Sequence, residues 1–514
     1  MHATRTLLTH LLSHAAARAP QSPAIADDDL ALTYGELADA AARIAAHLAE
    51  IGVQPGDRVI LSMPNSTAFC AAFWGIVSAG AVAVPLNPGT KCAKLAFVLG
   101  NCRPAAVLAD DVTAQTVRAA MAEAGQSLPV VETGRDAAPG LLDQLIAPQA
   151  SAPDLKVPAV IDQDLATIIY TSGSTGEPKG VMLSHLNMTS AARSVAQYLG
   201  YRSDDHIFCA VPMTFDYGLH QLTMAALTGA SVQAEPSFAQ PFFALKRMQD
   251  CGATVFPLVP TMVPLIAPLA DRFDLSGLRL VSSTAAALHA EVIDQLQEML
   301  PQATVFSMYG LTECHRCTYL PPDQLASRKT SVGLAIPNTE MWVVDEAGQR
   351  HRHSATGELV IRGSTVMKGY WQNPEATARR LRPGPFPGEQ VLYTGDTCRL
   401  DEDGYLYFVG RSDDILKIGG EKVAPSEVEA VLVAHPDVRE VCVLGEDHPV
   451  HGQICVAYVA ATVDTDTLSA WCRARLDPHA VPARIVVHAD LPRTQNGKID
   501  RAALRAGPVL EPAE

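Results

Sequence analysis

The chain has 514 residues, 48% apolar and 18% charged, a globular composition that is too long for one core and too rich in apolar residues for disorder. Its 55 acidic and 39 basic residues leave a formal charge of −16, which argues against a nucleic-acid-binding surface. No apolar run approaches the roughly 20 residues of a membrane span, and the 11 cysteines are scattered singly, so reduced thiols in a cytoplasmic protein are expected.

At the N-terminus, Leu7, Leu8, Leu11 and Leu12 recur at helical spacing, and the stretch lacks the uninterrupted apolar region of a secretory signal. An amphipathic first helix is therefore expected. Thr33 and Glu36 have capping-box spacing before YGELADAAARIAAHLAEIG, with Gly52 placed to close that helix. RVILSMP, AVAVPLN and AAVLAD then alternate with helical segments such as STAFCAAFWGIVSAG, the texture of α/β layers with largely parallel sheet.

Residues from about 133 to 160, richer in Pro, Gly and Asp, read as a surface connection. A second α/β series includes HIFCAVPM, ATVFPLVP, RLVSST and TVFSMYG. From about 330 to 410 short strands and turns indicate a β-rich subdomain. The texture changes again at Gly410, and the last hundred residues read as a small α+β domain with helices near PSEVEAVLVAH and TLSAWCRARL. Cys314-His315-Arg316-Cys317 has metal-like CxxC spacing, but no second ligand pair follows, so zinc is not expected.

The most informative stretch is Tyr170-Thr171-Ser172-Gly173-Ser174-Thr175-Gly176-Glu177-Pro178-Lys179-Gly180, between the apolar run LATIIY and the alternating VMLSH. A loop this rich in Gly, Ser and Thr between two strands can turn backbone N–H groups, hydroxyls and the Lys179 ammonium into one concavity suited to phosphate. It is not the Walker loop, because Lys179 is followed by Gly180 and a strand instead of Ser/Thr opening a helix. Further along stand YGLTE (Tyr309 to Glu313), Tyr393-Thr394-Gly395-Asp396, Gly410-Arg411-Ser412-Asp413, LKIGGEKV and Pro492-Arg493-Thr494-Gln495-Asn496-Gly497-Lys498.

Together, in this order and over nearly the whole chain, these motifs resemble the adenylate-forming superfamily of acyl- and aryl-CoA synthetases, amino-acid adenylation domains and luciferases. The resemblance implies a large N-terminal α/β lobe with a β-rich subdomain, residues 1–410, and a mobile C-terminal α+β domain, residues 411–514, hinged near Asp413. It further implies that Thr171, Ser172, Gly173, Ser174, Thr175, Gly176 and Lys179 hold the phosphates of ATP and that Tyr309 stacks on adenine. Thr312 and Glu313 would lie near the α-phosphate, with Glu313 on Mg²⁺, a hard cation suited to a carboxylate and phosphate oxygens. Asp396 and Arg411 would bind ribose, an Asp being able to accept two hydroxyl hydrogen bonds. Lys498 would be the catalytic lysine, stabilising charge on pentacoordinate phosphorus. Gly419 and Gly420 would line the tunnel of the pantetheine thiol.

One departure is Ser282-Ser283-Thr284-Ala285-Ala286-Ala287-Leu288, where family members commonly carry a Gly-Gly pair. Its Cβ atoms restrict backbone and space, so contacts at 284–286 are not carried over.

Phe215-Asp216-Tyr217-Gly218 lies where amino-acid-activating members have a Phe-Asp pair whose aspartate binds the substrate ammonium. A carboxylate is costly to bury unpaired, so Asp216 points to a cationic substrate group, unless it caps a helix starting near Gly218. Tyr217 and His220 would line the same pocket. The expected reaction is ATP-dependent adenylation of an amino acid, small or cyclic ones included, and transfer to the phosphopantetheine of a separate carrier protein. The alternative is a fatty, aryl or other organic acid joined to coenzyme A.

Overall fold

The computed structural model describes residues 6–134, 139–148, 159–172, 178–284, 288, 290–411, 414, 416–418, 421–448, 452–494 and 498–506. A large α/β lobe carries mixed sheets, and a small sheet domain follows it. In a nine-stranded sheet, six neighbouring strands run parallel: Thr304–Leu311, Leu280–Ser283, Val255–Leu258, His206–Cys209, Ser231–Ala234 and Pro23–Ala26. The antiparallel strand His315–Tyr319 continues from Thr304–Leu311. In a seven-stranded sheet, Leu165–Ser172 and Pro178–Ser184 form an antiparallel pair, so LATIIY and VMLSH are the arms of the expected strand-loop-strand. The last strand of that sheet, Gly369–Tyr370, lies against Pro178–Ser184.

Residues 339–411 form an antiparallel sheet in which Gln390–Leu400 pairs with Leu406–Arg411. From Leu416 onward a five-stranded sheet packs against the helices Pro425–Val433 and Thr465–Arg473, with two apolar clusters of its own.

Local chemistry explains several elements. Thr33 Oγ1 accepts from the Glu36 N–H (3.3 Å) and Glu36 Oε2 accepts from the Thr33 N–H (2.8 Å), the reciprocal cap that starts the helix Tyr34–Glu50. Ser184 and Asn187 repeat the arrangement at the start of His185–Leu199. Asn187 Nδ2 also donates to the carbonyls of Ser364 (2.7 Å) and Val366 (2.9 Å), which steers the chain into Gly369–Tyr370. The connection after residue 133 contains a helix that the sequence does not announce, Leu141–Ile146. Six residues are too few for a periodic signal; this turn is held by burial of Leu142 and Ile146 and by Arg43, which donates to the carbonyls of Leu145 (2.7 Å) and Ala147 (3.0 Å).

The first helix, Leu8–Arg18, buries Leu8, Leu11 and Leu12 as its spacing predicts. His185 anchors it, Nδ1 accepting from the Leu8 N–H (3.3 Å). Burial pushes the His185 pKa from 6.5 down to about 4, because the charged ring is poorly solvated there. The folded chain thus favours the neutral ring, whose contribution is complete above the unfolded value of 6.5 and is lost as pH falls towards 4. Urea midpoints measured across this window should fall, and His185→Asn should flatten the slope; an unchanged slope in the variant would contradict the assignment.

Candidate active site

The parallel strands of the nine-stranded sheet end beside one another, the place where α/β sheets bind ligands. After His206–Cys209 the chain is fixed by Asn65, whose Nδ2 donates to the carbonyls of Val211 (2.9 Å) and Glu235 (3.0 Å) and whose Oδ1 accepts from the Met213 N–H (2.7 Å). This delivers Phe215 to the cap position of the helix Asp216–Thr228. Gly218 sits so close to the preceding loop that a Cβ would come within 2.2 Å of the Pro212 carbonyl oxygen, so the helix start can approach only with glycine there.

Strand Thr304–Leu311 leads into a tight reversal, with Gly310 opposite Arg316 and Leu311 opposite His315. His315 takes φ +60°, an uncommon region for a non-glycine residue. The turn leaves Thr312 buried and Glu313 half-buried. Glu313 Oε1 accepts from the Tyr370 hydroxyl (2.7 Å), and the Lys179 ammonium lies 5.9 Å from the Tyr370 ring centroid. Tyr370 thus joins the end of the Gly/Ser/Thr hairpin to Glu313. Thr171 pairs with Lys179 across that hairpin. Gly173, Ser174, Thr175 and Gly176 lie outside the described residues, as does the side chain of Ser172.

Asp396 and Arg411 face one another on paired strands. The Tyr309 hydroxyl donates to Asp396 Oδ2, and Arg411 Nε stands 3.1 Å from Oδ1. That Oδ1 is buried and has no hydrogen bond among the described residues, so its contact with Arg411 is one of charge only, leaving an acceptor in place for a hydroxyl. Burial raises the Asp396 pKa, and the Arg411 guanidinium opposes that shift.

Arg493 bridges Ile499, and the Thr494 N–H donates to the Lys498 carbonyl (2.7 Å), which holds Lys498 beside Thr494. The Lys498 ammonium lies 5.3 Å from the Phe215 ring centroid. Burial of the ammonium lowers its pKa; attraction from Asp216 and Glu313 counters this, and repulsion from Arg411 adds to it. A lysine from the C-terminal sheet domain therefore shares one electrostatic site with Asp216, Glu313 and Arg411.

The premise for an ammonium-binding Asp216 is not met. Asp216 is the first residue of its helix and not the cap, and its Oδ2 accepts from Arg316 Nη1 (2.8 Å), both side chains being 4% exposed. The Arg316 guanidinium also lies 4.5 Å from the Tyr217 ring centroid. The Tyr217 hydroxyl donates to the Ser282 carbonyl (2.7 Å), and His220 Nε2 meets His315 Nδ1 at 2.7 Å. Arg316, His315 and Tyr370 are the residues that sequence reasoning misses. The available signal was a buried acid without a partner, while Arg316 stood inside a CxxC weighed only for its cysteines. Cys314 and Cys317 are buried free thiols, and no group of three or more metal-ligating side chains occurs among the described residues. Asp413, Gly419 and Gly420 lie outside the described residues.

Residues 12–371 match the AMP-binding enzyme family, and residues 427–498 match the AMP-binding enzyme C-terminal domain. The chain belongs to the AMP-binding enzyme family. This AMP-binding enzyme is an adenylate-forming ligase, for which ATP is a substrate. It is 33% identical over 494 residues to a feruloyl-CoA synthase of Amycolatopsis sp, covering 95% of this chain and 96% of that protein. It is 30% identical to enterobactin synthase component F of Escherichia coli (strain K12), over 97% of this chain but 39% of that protein. Among solved structures, ATP-bound MatB from Rhodopseudomonas palustris superposes with a TM-score of 0.86 at 28% identity, covering 98% of this chain and 99% of that one. Apo MatB, at the same identity and coverage, gives 0.77. No helix among the described residues is long and apolar enough to cross a membrane.

Removing one partner of a buried ion pair strands the other charge, at a cost of about 3–5 kcal/mol. Asp216→Ala should lower the unfolding free energy by about that much, and Asp216→Ala with Arg316→Met should recover part of it. Denaturant titration of the two variants checks this, and two equal losses would contradict the pairing.

Proposed function

We propose that this enzyme joins an organic carboxylic acid to coenzyme A through an acyl-adenylate. The observation that carries the reading is the Asp216–Arg316 pair at 2.8 Å: the acid expected to bind a substrate ammonium is already engaged by a cation of the protein. The end-to-end likeness to a feruloyl-CoA synthase supports it.

In the first half-reaction a carboxylate oxygen attacks the α-phosphorus, the bond to the leaving pyrophosphate breaks, and charge accumulates on the phosphoryl oxygens. Lys498 supplies a preorganised ammonium there. Tyr309, Asp396 and Arg411 hold the adenosine, while Thr171, Lys179, Thr312 and the Gly/Ser/Thr loop hold the phosphates. Glu313 fits Mg²⁺, having one oxygen engaged by Tyr370 and relying on phosphate oxygens for the rest of the ligand set. When bound, Mg²⁺ would neutralise phosphate charge. In the second half-reaction the thiolate sulfur attacks the acyl carbon, the acyl–phosphate bond breaks and AMP leaves, the thiol proton passing to solvent. We assign the two moving parts to residues 1–410 and 411–514, turning about Asp413, with Gly419 and Gly420 beside the thiol arm. The higher TM-score to ATP-bound than to apo MatB supports the present arrangement as that of the adenylation step.

The likeness to enterobactin synthase component F favours a second reading, loading of a carrier protein. Pyrophosphate release across a panel of carboxylates, followed by thioester detection with coenzyme A or a phosphopantetheinylated carrier, separates the two; product formed only on the carrier would overturn the first. Lys498→Ala should slow adenylation by about 10²- to 10³-fold while sparing thioester formation from supplied acyl-adenylate. Equal loss of both steps would contradict domain alternation.

A further inference from the structure

Just beyond Lys498, Arg501 opens the short helix Arg501–Ala506. The stretch between them is pinned from two sides. Ile499 packs against the apolar cluster of Cys442, Leu444, Val456 and Tyr458, in which Leu504 of the helix is buried. The Asp500 N–H donates to the Pro492 carbonyl (2.7 Å), and Asp500 Oδ1 accepts from the N–H groups of Ala502 (3.1 Å) and Ala503 (3.0 Å), capping the helix. With the Thr494 N–H on the Lys498 carbonyl, the backbone of Lys498 and the start of the helix form one piece.

Arg501 ties that piece to a second place in the chain. Its Nη1 donates to Asp414 Oδ2, and its Nη2 stands 3.8 Å from Glu429 Oε1, an oxygen that also accepts from the Val443 N–H (2.9 Å). Asp414 lies between the strand Leu406–Arg411, whose Arg411 faces Asp396, and the strand Leu416–Ile418 of the C-terminal sheet; its own N–H donates to the Arg411 carbonyl (3.0 Å). One guanidinium thus joins the connection between the two parts of the chain to the piece that bears Lys498. It also stands between two acids. Burial raises the Glu429 pKa, the Val443 N–H and Arg501 oppose the shift, and Asp414 adds to it. Without Arg501 the two carboxylates would repel one another across the gap.

A partly exposed ion pair contributes little to overall stability. A planar guanidinium that reaches two carboxylates nevertheless fixes direction, because its donors point along set lines. We propose that Arg501 is a positioning residue for adenylation: through Asp414 it sets where Lys498 stands relative to the connection after Arg411, and so whether the ammonium reaches the phosphate. Residues 414 and 501 lie on the same side of the turning point assigned to Asp413, so this strut travels with the C-terminal domain instead of opening. The role rests on the two-step ligase reading, in which thioester formation does not use Lys498.

The test uses the full-length enzyme, the acid of a carboxylate panel that it adenylates fastest, and the acyl-adenylate made from that acid. Arg501→Gln and Asp414→Asn should each lower kcat for pyrophosphate release by about 10- to 100-fold, the range a misplaced reacting group produces, with KM for ATP unchanged and thioester formation from supplied acyl-adenylate retained. The double variant should be no slower than the slower single one, because both changes remove the same contact. Arg501→Lys, which keeps the charge, should regain part of the rate. A purely structural role would slow both half-reactions alike. Equal loss in the two steps, adenylation at the wild-type rate, or losses that multiply in the double variant overturn this inference. Where Lys498→Ala is still selective for adenylation, those results leave the two-step reading standing; a Lys498→Ala that slows both steps alike removes that reading and this inference with it.

Discussion

The buried ion pair between Asp216 and Arg316 ties the start of the helix Asp216–Thr228 to the strand His315–Tyr319 and satisfies both charges within the protein. An Asp in the first turn of a helix is favoured by the partial positive charge of the unpaired N–H groups, and Arg316, over the Tyr217 ring, neutralises it from the opposite strand. Removing either charge strands the other. The pair also bears on Lys498, whose ammonium feels attraction from Asp216 and Glu313 against burial and the repulsion of Arg411. Asp216 and Arg316 balance one another, and Arg411 faces Asp396 at 3.1 Å in the same neighbourhood.

Around that pair the two parts of the chain divide the work. The large lobe fixes Asp396, Glu313 and Tyr370 through strand pairing and loop hydrogen bonds. The C-terminal sheet domain contributes Lys498, held beside Thr494. Lys498 is thus carried by a part of the chain that has apolar clusters of its own.

Much of this architecture was legible in the sequence because it is governed by local rules. The alternation of strand and helix segments, the Thr33 and Glu36 cap and the two arms of the Gly/Ser/Thr hairpin all rest on residues within one element or its immediate neighbour. Asp396 and Arg411 were legible as separate motifs, while their opposition across paired strands depends on register and had to come from the fold. Asp216 was legible as a candidate, but its pairing was not, for the same reason. Its partner lies 100 residues away, reachable only through the crossover that puts strand His315–Tyr319 beside the helix. A buried acid announces that it needs a cation; the sequence alone cannot say whether protein or substrate supplies it.

The most direct test of the account is a crystal structure with a non-hydrolysable acyl-adenosine sulfamate. It should show the Lys498 ammonium hydrogen-bonded at the junction of acyl and sulfamate groups, with Asp216 still paired to Arg316 beneath it. A structure in which Asp216 has left Arg316 to bind the acyl group, or in which Lys498 points away from the junction, would contradict it.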